Sequence, residues 1–346
     1  MNCSSETSKT GFAGFNYKGK RYFTTKEEIK DTLEKYGVAI IPNLLSEKEC
    51  KQMKKGMWNY LEHITSEFET PISRRDNTTW KEFGKLYPLH SMLLQRWGIG
   101  HSQMVWDLRQ NTNIIDVFCS IYSVEPEELL VSFDGASFHF PPEVTGVGWR
   151  RVANSGWLHT DQSYTRHDFE CVQSWVSAED VEPGDATLVF LQGSHKYHKE
   201  FQKKFGIKSK ADWTKLTPEQ IKFYEDKGCE LVYIRCPKGS LVCWDSRTIH
   251  AGTEPVKQRE NPKIRCVAYL CYMPRGEIKP AMLKKKQKAF KELRTTSHWP
   301  CKPKLFSKFP RTWGKPLPPI VEIEPPVVGE LGMKMAGFSS FVQNQE

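Results

Sequence analysis

Gly156-Trp157-Leu158-His159-Thr160-Asp161-Gln162-Ser163 decides how this chain is read, together with Trp244-Asp245-Ser246-Arg247-Thr248-Ile249-His250 about ninety residues later. Successive side chains of an extended segment alternate between faces, so His159 and Asp161 leave the same one. One short element therefore aims an imidazole and a carboxylate at one point. His250 follows Gly239-Ser240-Leu241-Val242-Cys243-Trp244-Asp245, a turn and then a short apolar strand, and so projects from a strand end. Two imidazoles and one carboxylate on one side of an octahedral ion form the facial triad that holds non-haem Fe(II) and leaves other positions open. A His-x-Asp pair alone is a weak sign, because most such histidines are hydrogen-bonded core or surface residues. The third member and its strand context give the pair its weight.

Around these stretches lie Ser174-Trp175-Val176, Gly193-Ser194-His195, the run from Gly239 to Arg247, and Arg265 at the head of Arg265-Cys266-Val267-Ala268-Tyr269-Leu270-Cys271-Tyr272. In this order the pieces resemble the phytanoyl-CoA dioxygenase-like branch of the Fe(II)/2-oxoglutarate oxygenases, over residues 36–275. The resemblance implies a mainly β fold with helical additions: a double-stranded β-helix (jelly roll, cupin-like) covered by N-terminal helices. It implies Fe(II) on His159, Asp161 and His250, with 2-oxoglutarate as cosubstrate and O2 as oxidant. The implied reaction hydroxylates an unidentified substrate while 2-oxoglutarate is decarboxylated to succinate and CO2. Trp175 falls where the family places an aromatic against the cosubstrate, ordinary barrel packing being the alternative. Related halogenases lack the carboxylate ligand; Asp161 is present, so hydroxylation is expected.

The far carboxylate of the cosubstrate needs a cation deep in the barrel, and bidentate arginine has the matching geometry. Arg259, Arg265 and Arg275 all follow His250 closely enough to compete. Arg259 lies in a polar, turn-like run and Arg275 lies past Pro274 at a strand end. Arg265 alone sits in an alternating strand, on one face with Val267 and Tyr269. A charge at such a position needs a partner, either the cosubstrate or a protein carboxylate in a buried salt bridge.

The 346 residues, 38% hydrophobic and 12% aromatic, suffice for a sizeable core and exclude a disordered chain. The N-terminus lacks a basic region followed by an apolar run, and no eighteen apolar residues stand together. Neither secretion nor a membrane span is expected. The ten cysteines lie singly, so reduced thiols in an intracellular, cytoplasmic setting are expected. The net charge of +9 is uneven: residues 282–316 hold eleven Lys or Arg against one acidic residue, a net of +10.

In chain order, an N-terminal arm (1–24) precedes a single oxygenase domain (25–275), made of a helical cover (25–124) and the β-helix (125–275). A basic, Pro-rich extension (276–346) packs on the core. Thr25-x-x-Glu28 reads as a capping box for a helix ending near Gly37, and Val38-Ala39-Ile40-Ile41 as a buried strand. Ser46-x-x-Glu49 opens a longer helix with Cys50, Met53, Met57, Leu61 and Ile64 on one stripe. Residues 70–112 resist assignment, 114–122 read as a helix, and 129–140 as one strand stopped by Pro141-Pro142, with His139 structural. His195 and His198 read as turn and surface residues. Residues 199–229 form a helical insertion, either a lid over the pocket or passive decoration.

Arg150 and Arg151, on a glycine-containing loop, could hold an anionic group of the substrate or be solvated. Gln162 and Ser163 are expected at the mouth. Asp245 either supports a ligand histidine or caps its turn. Three functions compete: a hydroxylase acting on a small molecule or other unidentified substrate, a nucleic-acid or nucleobase-directed oxygenase, and a non-catalytic β-helix binding module. The second draws on residues 282–316, where Phe290, Trp299, Phe306, Phe309 and Trp313 stand among lysines. A solvated basic helix and a packed tail account for them more simply. Nucleic acid is therefore a secondary candidate partner, a membrane is not one, and nothing in the sequence sets the oligomeric state.

Overall fold

Residues 265–274 alternate between two environments, and every other element is placed by that alternation. Cys266, Ala268, Leu270 and Tyr272 join a core shared with the helices, while Val267 and Tyr269 join a second core between two sheets. In the computed structural model, which describes residues 19–148 and 157–338, this strand is central to the larger sheet. That sheet runs β1 (Val38–Ile41), β10 (Leu241–Asp245), β6 (Val172–Ser177), β12 (Arg265–Pro274), β4 (Ala136–His139) and β2 (Leu93–Leu94), with β3 (Leu129–Val131) also on β12. The smaller sheet runs β8 (Thr214–Lys215), β5 (His159–Thr160), β11 (His250–Thr253), β7 (Thr187–Leu191) and β9 (Leu231–Tyr233). All of these strand pairs are antiparallel. Trp175, Val242, Trp244 and Val267 from the larger sheet meet Leu188, Phe190 and Val232 from the smaller one, which makes the interior of a double-stranded β-helix.

Helices α1 (Ile29–Tyr36), α2 (Glu47–Ile64), α3 (Gln103–Arg109) and α4 (Thr112–Tyr122) cover the outer face of the larger sheet. The capping box forms at α2, where Ser46 Oγ accepts from the Glu49 amide and Glu49 Oε2 accepts from the Ser46 amide at 2.7 Å. Its expected stripe, Cys50, Met53, Met57, Leu61 and Ile64, is buried. The Thr25 box does not form: α1 begins at Ile29 after Glu28, which makes no side-chain cap. Helices make up about 35% of the residues and strands 19%, so the two sheets form the central framework while helices are the larger share of the chain.

Gly37 ends α1 with φ 79°, a left-handed conformation that suits glycine. Its carbonyl accepts from the Asp245 amide at 3.0 Å and from Thr248 Oγ1 at 3.0 Å, tying α1 to the turn before His250. A Cβ here would lie 2.5 Å from Thr248 Oγ1, so the joint is sterically closed as well.

Other expectations need correction. The 129–140 run is two strands, because residues 132–135 leave the ladder between β3 and β4. Within 70–112 lie a 3-10 helix, Asn77–Leu86, and α3. Helix α5 (Pro142–Thr145) follows β4. His195 and His198 are buried rather than superficial, their Nε2 atoms meeting the carbonyls of Glu34 and Ser163. The insertion holds α6 (His198–Phe205) and α7 (Pro218–Asp226), and also β8, which lengthens the smaller sheet beside His159. Among the described residues no helix is long and apolar enough to cross a membrane, and every cysteine is a free thiol.

The C-terminal segment contains α8 (Pro280–Lys291) and α9 (Glu330–Met335). Lys286 of α8 is buried, with Nζ donating to the Val131 carbonyl and standing 4.1 Å from the centre of the Phe133 ring. Burial pushes its pKa down to about 7. Unfolding therefore takes up a proton above that pH, and stability rises with pH from about 7 toward the ordinary lysine value of about 10.4. Equilibrium denaturation at pH 7 and pH 9 should show the wild type gaining on Lys286→Met over this interval.

Candidate active site

The two strands that carry the histidines are short, and their register does the positioning. His159, first residue of β5, pairs with His250, first residue of β11. Opposed residues of an antiparallel pair share a face, so the two imidazoles lie side by side with ring centroids 4.4 Å apart. After Thr160 the chain bends, and the Asp161 amide donates to the Ser246 carbonyl at 3.1 Å. This returns the Asp161 carboxylate to the same point: its Oδ2 is 3.6 Å from His159 Nε2 and 3.3 Å from His250 Nε2. One donor atom from each of the three buried residues lies within 4.8 Å of the others.

Backbone carbonyls set the tautomers. His159 Nδ1 donates to the Trp157 carbonyl at 3.0 Å, and His250 Nδ1 to the Thr248 carbonyl at 2.9 Å. A carbonyl only accepts, so each proton sits on Nδ1 and each Nε2 lone pair is free to bind a cation. Burial, reinforced by His159, pushes the His250 pKa down. Burial pushes the Asp161 carboxyl up, but protonated rings beside it, whose place a bound cation would take, hold it well below the usual carboxylate range. The trio thus offers two imidazole nitrogens and one carboxylate oxygen, a donor set that fits Fe(II).

Gln173, on the inner face of β6, donates from Nε2 to Asp161 Oδ2 at 2.9 Å. Trp157 stacks on His159 with centroids 5.0 Å apart, its Nε1 donating to the Gly252 carbonyl. Neither residue stood out in the sequence. The strand parity that selects Trp175 also selects Gln173, two positions earlier.

On the inner face of the larger sheet, Arg265 is buried with Val267 and Tyr269 on its own face. Its Nε donates to Ser137 Oγ at 2.8 Å and its Nη1 to the Ala186 carbonyl at 2.7 Å. No carboxylate pairs with it among the described residues. Its competitors are committed elsewhere. Arg259 is bound to Glu143 and Asp185 at 2.8 and 2.7 Å, and Arg275 donates to the Lys334 carbonyl. Trp175 is buried beside Arg265, its ring centre 5.7 Å from the guanidinium. His139, the register partner of Arg265, meets the Gly148 carbonyl and is pushed down to about 4 by burial, in keeping with a structural role.

Other expected residues sit differently. Gln162 is fully buried and its amide donates to the carbonyls of Arg166 and Asp168, so it closes a turn rather than lining a mouth. Ser163 is likewise tied to Thr165 and Ser209. Asp245 takes a bidentate pair with Arg247 and accepts from the Arg247 amide, the capping alternative. Arg150 and Arg151 lie outside the described residues. In the basic segment, Trp299 is buried, Phe290 packs against the core, Phe306 is half-buried under Arg96, and Phe309 and Trp313 are exposed.

A double-stranded β-helix carrying two imidazoles and a carboxylate on one inner face defines the class of non-haem iron, 2-oxoglutarate-dependent oxygenases. Within that class the chain belongs to the phytanoyl-CoA dioxygenase family, whose model matches residues 33–256. It is 27% identical over 297 residues to the Ava biosynthesis cluster protein O of Aspergillus versicolor, covering 80% of this chain and 88% of that protein. Its fold is similar to that of a putative oxidoreductase from Salmonella typhimurium LT2, with a TM-score of 0.55 and 13% identity over 92% of this chain and 86% of that one. A second similar structure is the hypothetical protein JW0805 from Escherichia coli, with a TM-score of 0.51 and 14% identity over 80% and 75% of the two chains.

Partners that orient ligand side chains are worth about 10–100-fold in metal affinity. Gln173→Leu should weaken Co(II) binding by about that factor in an anaerobic titration, and Gln173→Glu should not restore it, since a second carboxylate cannot donate to Asp161.

Proposed function

We propose that this protein is a hydroxylase of small organic molecules, in which His159, Asp161 and His250 hold Fe(II) and Arg265 binds the far carboxylate of 2-oxoglutarate against Trp175. One observation carries the reading. Three donor atoms within 4.8 Å of one another stand on and just past the smaller sheet, and on the inner face of the sheet opposite is a buried guanidinium that has no carboxylate partner among the described residues. Residues 25–275 form the oxygenase domain in this reading, and 276–346 a packed extension.

When bound, iron, 2-oxoglutarate and O2 together supply the oxidising power to hydroxylate a C–H bond, with release of succinate and CO2. The protein's contribution is placement. The Trp157 and Thr248 carbonyls keep protons off the two Nε2 atoms, and Gln173 holds one oxygen of Asp161 so that the carboxylate cannot swing away. Arg265 retains Nη2 for an incoming carboxylate, while Ser137 and Ala186 fix the plane of the fork. Trp175 and Trp244 screen this end of the interior from water, which strengthens each charge interaction there.

Anaerobic protein given Fe(II) and 2-oxoglutarate should develop a weak visible charge-transfer band, and His159→Ala should not. Absence of the band from fully loaded wild type refutes the assignment. Arg265→Met should raise the 2-oxoglutarate concentration needed for half-maximal signal by about thirtyfold or more, the range for losing a buried charged partner. Succinate release across small-molecule, peptide and nucleoside panels then identifies the substrate class.

A further inference from the structure

Around His159 the aromatic side chains form a continuous column. His90 stacks on Trp157 with centroids 4.2 Å apart and planes 18° from parallel, and Trp157 stacks on His159 at 5.0 Å and 18°. Trp213 lies 5.7 Å from the His159 ring at 36°. Trp157 is fixed by its bond to Gly252 and by packing against the outer core of the smaller sheet. Trp213 is held otherwise. It precedes β8, whose pairing with β5 sets Lys215 opposite His159 and Thr214 opposite Thr160, and the next amide, of Leu216, donates to the Leu158 carbonyl at 2.9 Å.

The backbone thus delivers Trp213 to the metal site, yet its side chain is left 52% exposed beside an imidazole that is only 5% exposed. Core packing does not account for an indole in that position. Two further apolar side chains stand open on flanking elements: Leu89, 47% exposed and next to His90, and Val147, 55% exposed and next to Gly148, whose carbonyl meets His139 beside Arg265.

We propose that Trp213, supplied by the helical insertion, is a specificity-determining residue whose open indole face stacks on a flat ring of the substrate and lays it beside His159. The proposal rests on the oxygenase reading and adds a substrate class: a molecule built on an aromatic or fused-ring skeleton rather than on a flexible chain. Ring faces stack in offset or tilted geometry on an indole, which a saturated chain cannot match. The indole also reaches the site at little conformational cost, because the β8 and β5 ladder already orders the backbone that carries it.

The test uses the full chain loaded anaerobically with Fe(II) and 2-oxoglutarate, titrated by calorimetry with 2-naphthol as flat probe and 1-decanol as chain probe. Wild type should bind 2-naphthol more tightly than 1-decanol. Trp213→Ala should weaken 2-naphthol by about tenfold and leave 1-decanol unchanged, while Trp213→Phe stays within about threefold of wild type. Equal binding of 2-naphthol by wild type and Trp213→Ala overturns the proposal, as does a wild type that binds neither probe or prefers the chain. The charge-transfer band is recorded on the same samples. If both Trp213 variants lose it, the indole serves His159 rather than substrate and the proposal fails. If wild type never shows it, the failure lies with the oxygenase reading instead.

Discussion

The pairing of His159 with His250 across two very short strands is the constraint on which the site depends. Side chains opposed in an antiparallel ladder cannot choose their relative position, so two imidazoles ninety residues apart in the chain are made neighbours by two backbone hydrogen-bonding partners. Asp161 is added through its amide, which is anchored on Ser246 in the turn that leads into β11. A slip of one residue in that register would turn both histidines to the opposite face. The flanking elements guard against it: β7 holds β11 from the far side, β8 holds β5, and Gly37 grips the preceding turn.

Charge is distributed between the two sheets with equal economy. The smaller sheet presents a carboxylate that accepts from Gln173, and the larger one presents a guanidinium held by a hydroxyl and a carbonyl. An isolated ion buried in this way is costly unless a partner arrives. Arg259, with two carboxylates around it, shows what a finished internal pair looks like in the same protein. The contrast between the two arginines supports a ligand-binding role for Arg265.

Much of this was legible in the sequence because the relevant signals are local and periodic. Period-two alternation placed Arg265 on the face of Val267 and Tyr269, and a turn followed by an apolar run placed His250 at a strand end. The capping box at Ser46 forms where the residue types indicate, whereas the one at Thr25 does not. What escaped is decided at a distance. Gln173 matters through Asp161, twelve residues away, and Trp213 through a two-residue strand too short to leave any periodicity. Lys286 reads as one more lysine in a basic run, since nothing local says that the inward side of α8 meets Phe133. Gln162 was misplaced for the converse reason: its neighbours suggested a cavity wall, whereas two carbonyls several residues later claim its amide.

The edge position of β1 has a consequence for how the chain is made. Val38 pairs with Trp244, a separation of 206 residues, so until β10 is made this early strand has only a single bridge, between Phe23 and Ile40. At synthesis rates of about 5–20 residues per second, that wait is roughly 10–40 s. During it an apolar four-residue strand, flanked by two amphipathic helices with no sheet to cover, emerges from the ribosome with its edge open. Nascent chains of this protein should therefore depend on holding chaperones more than the finished fold would suggest.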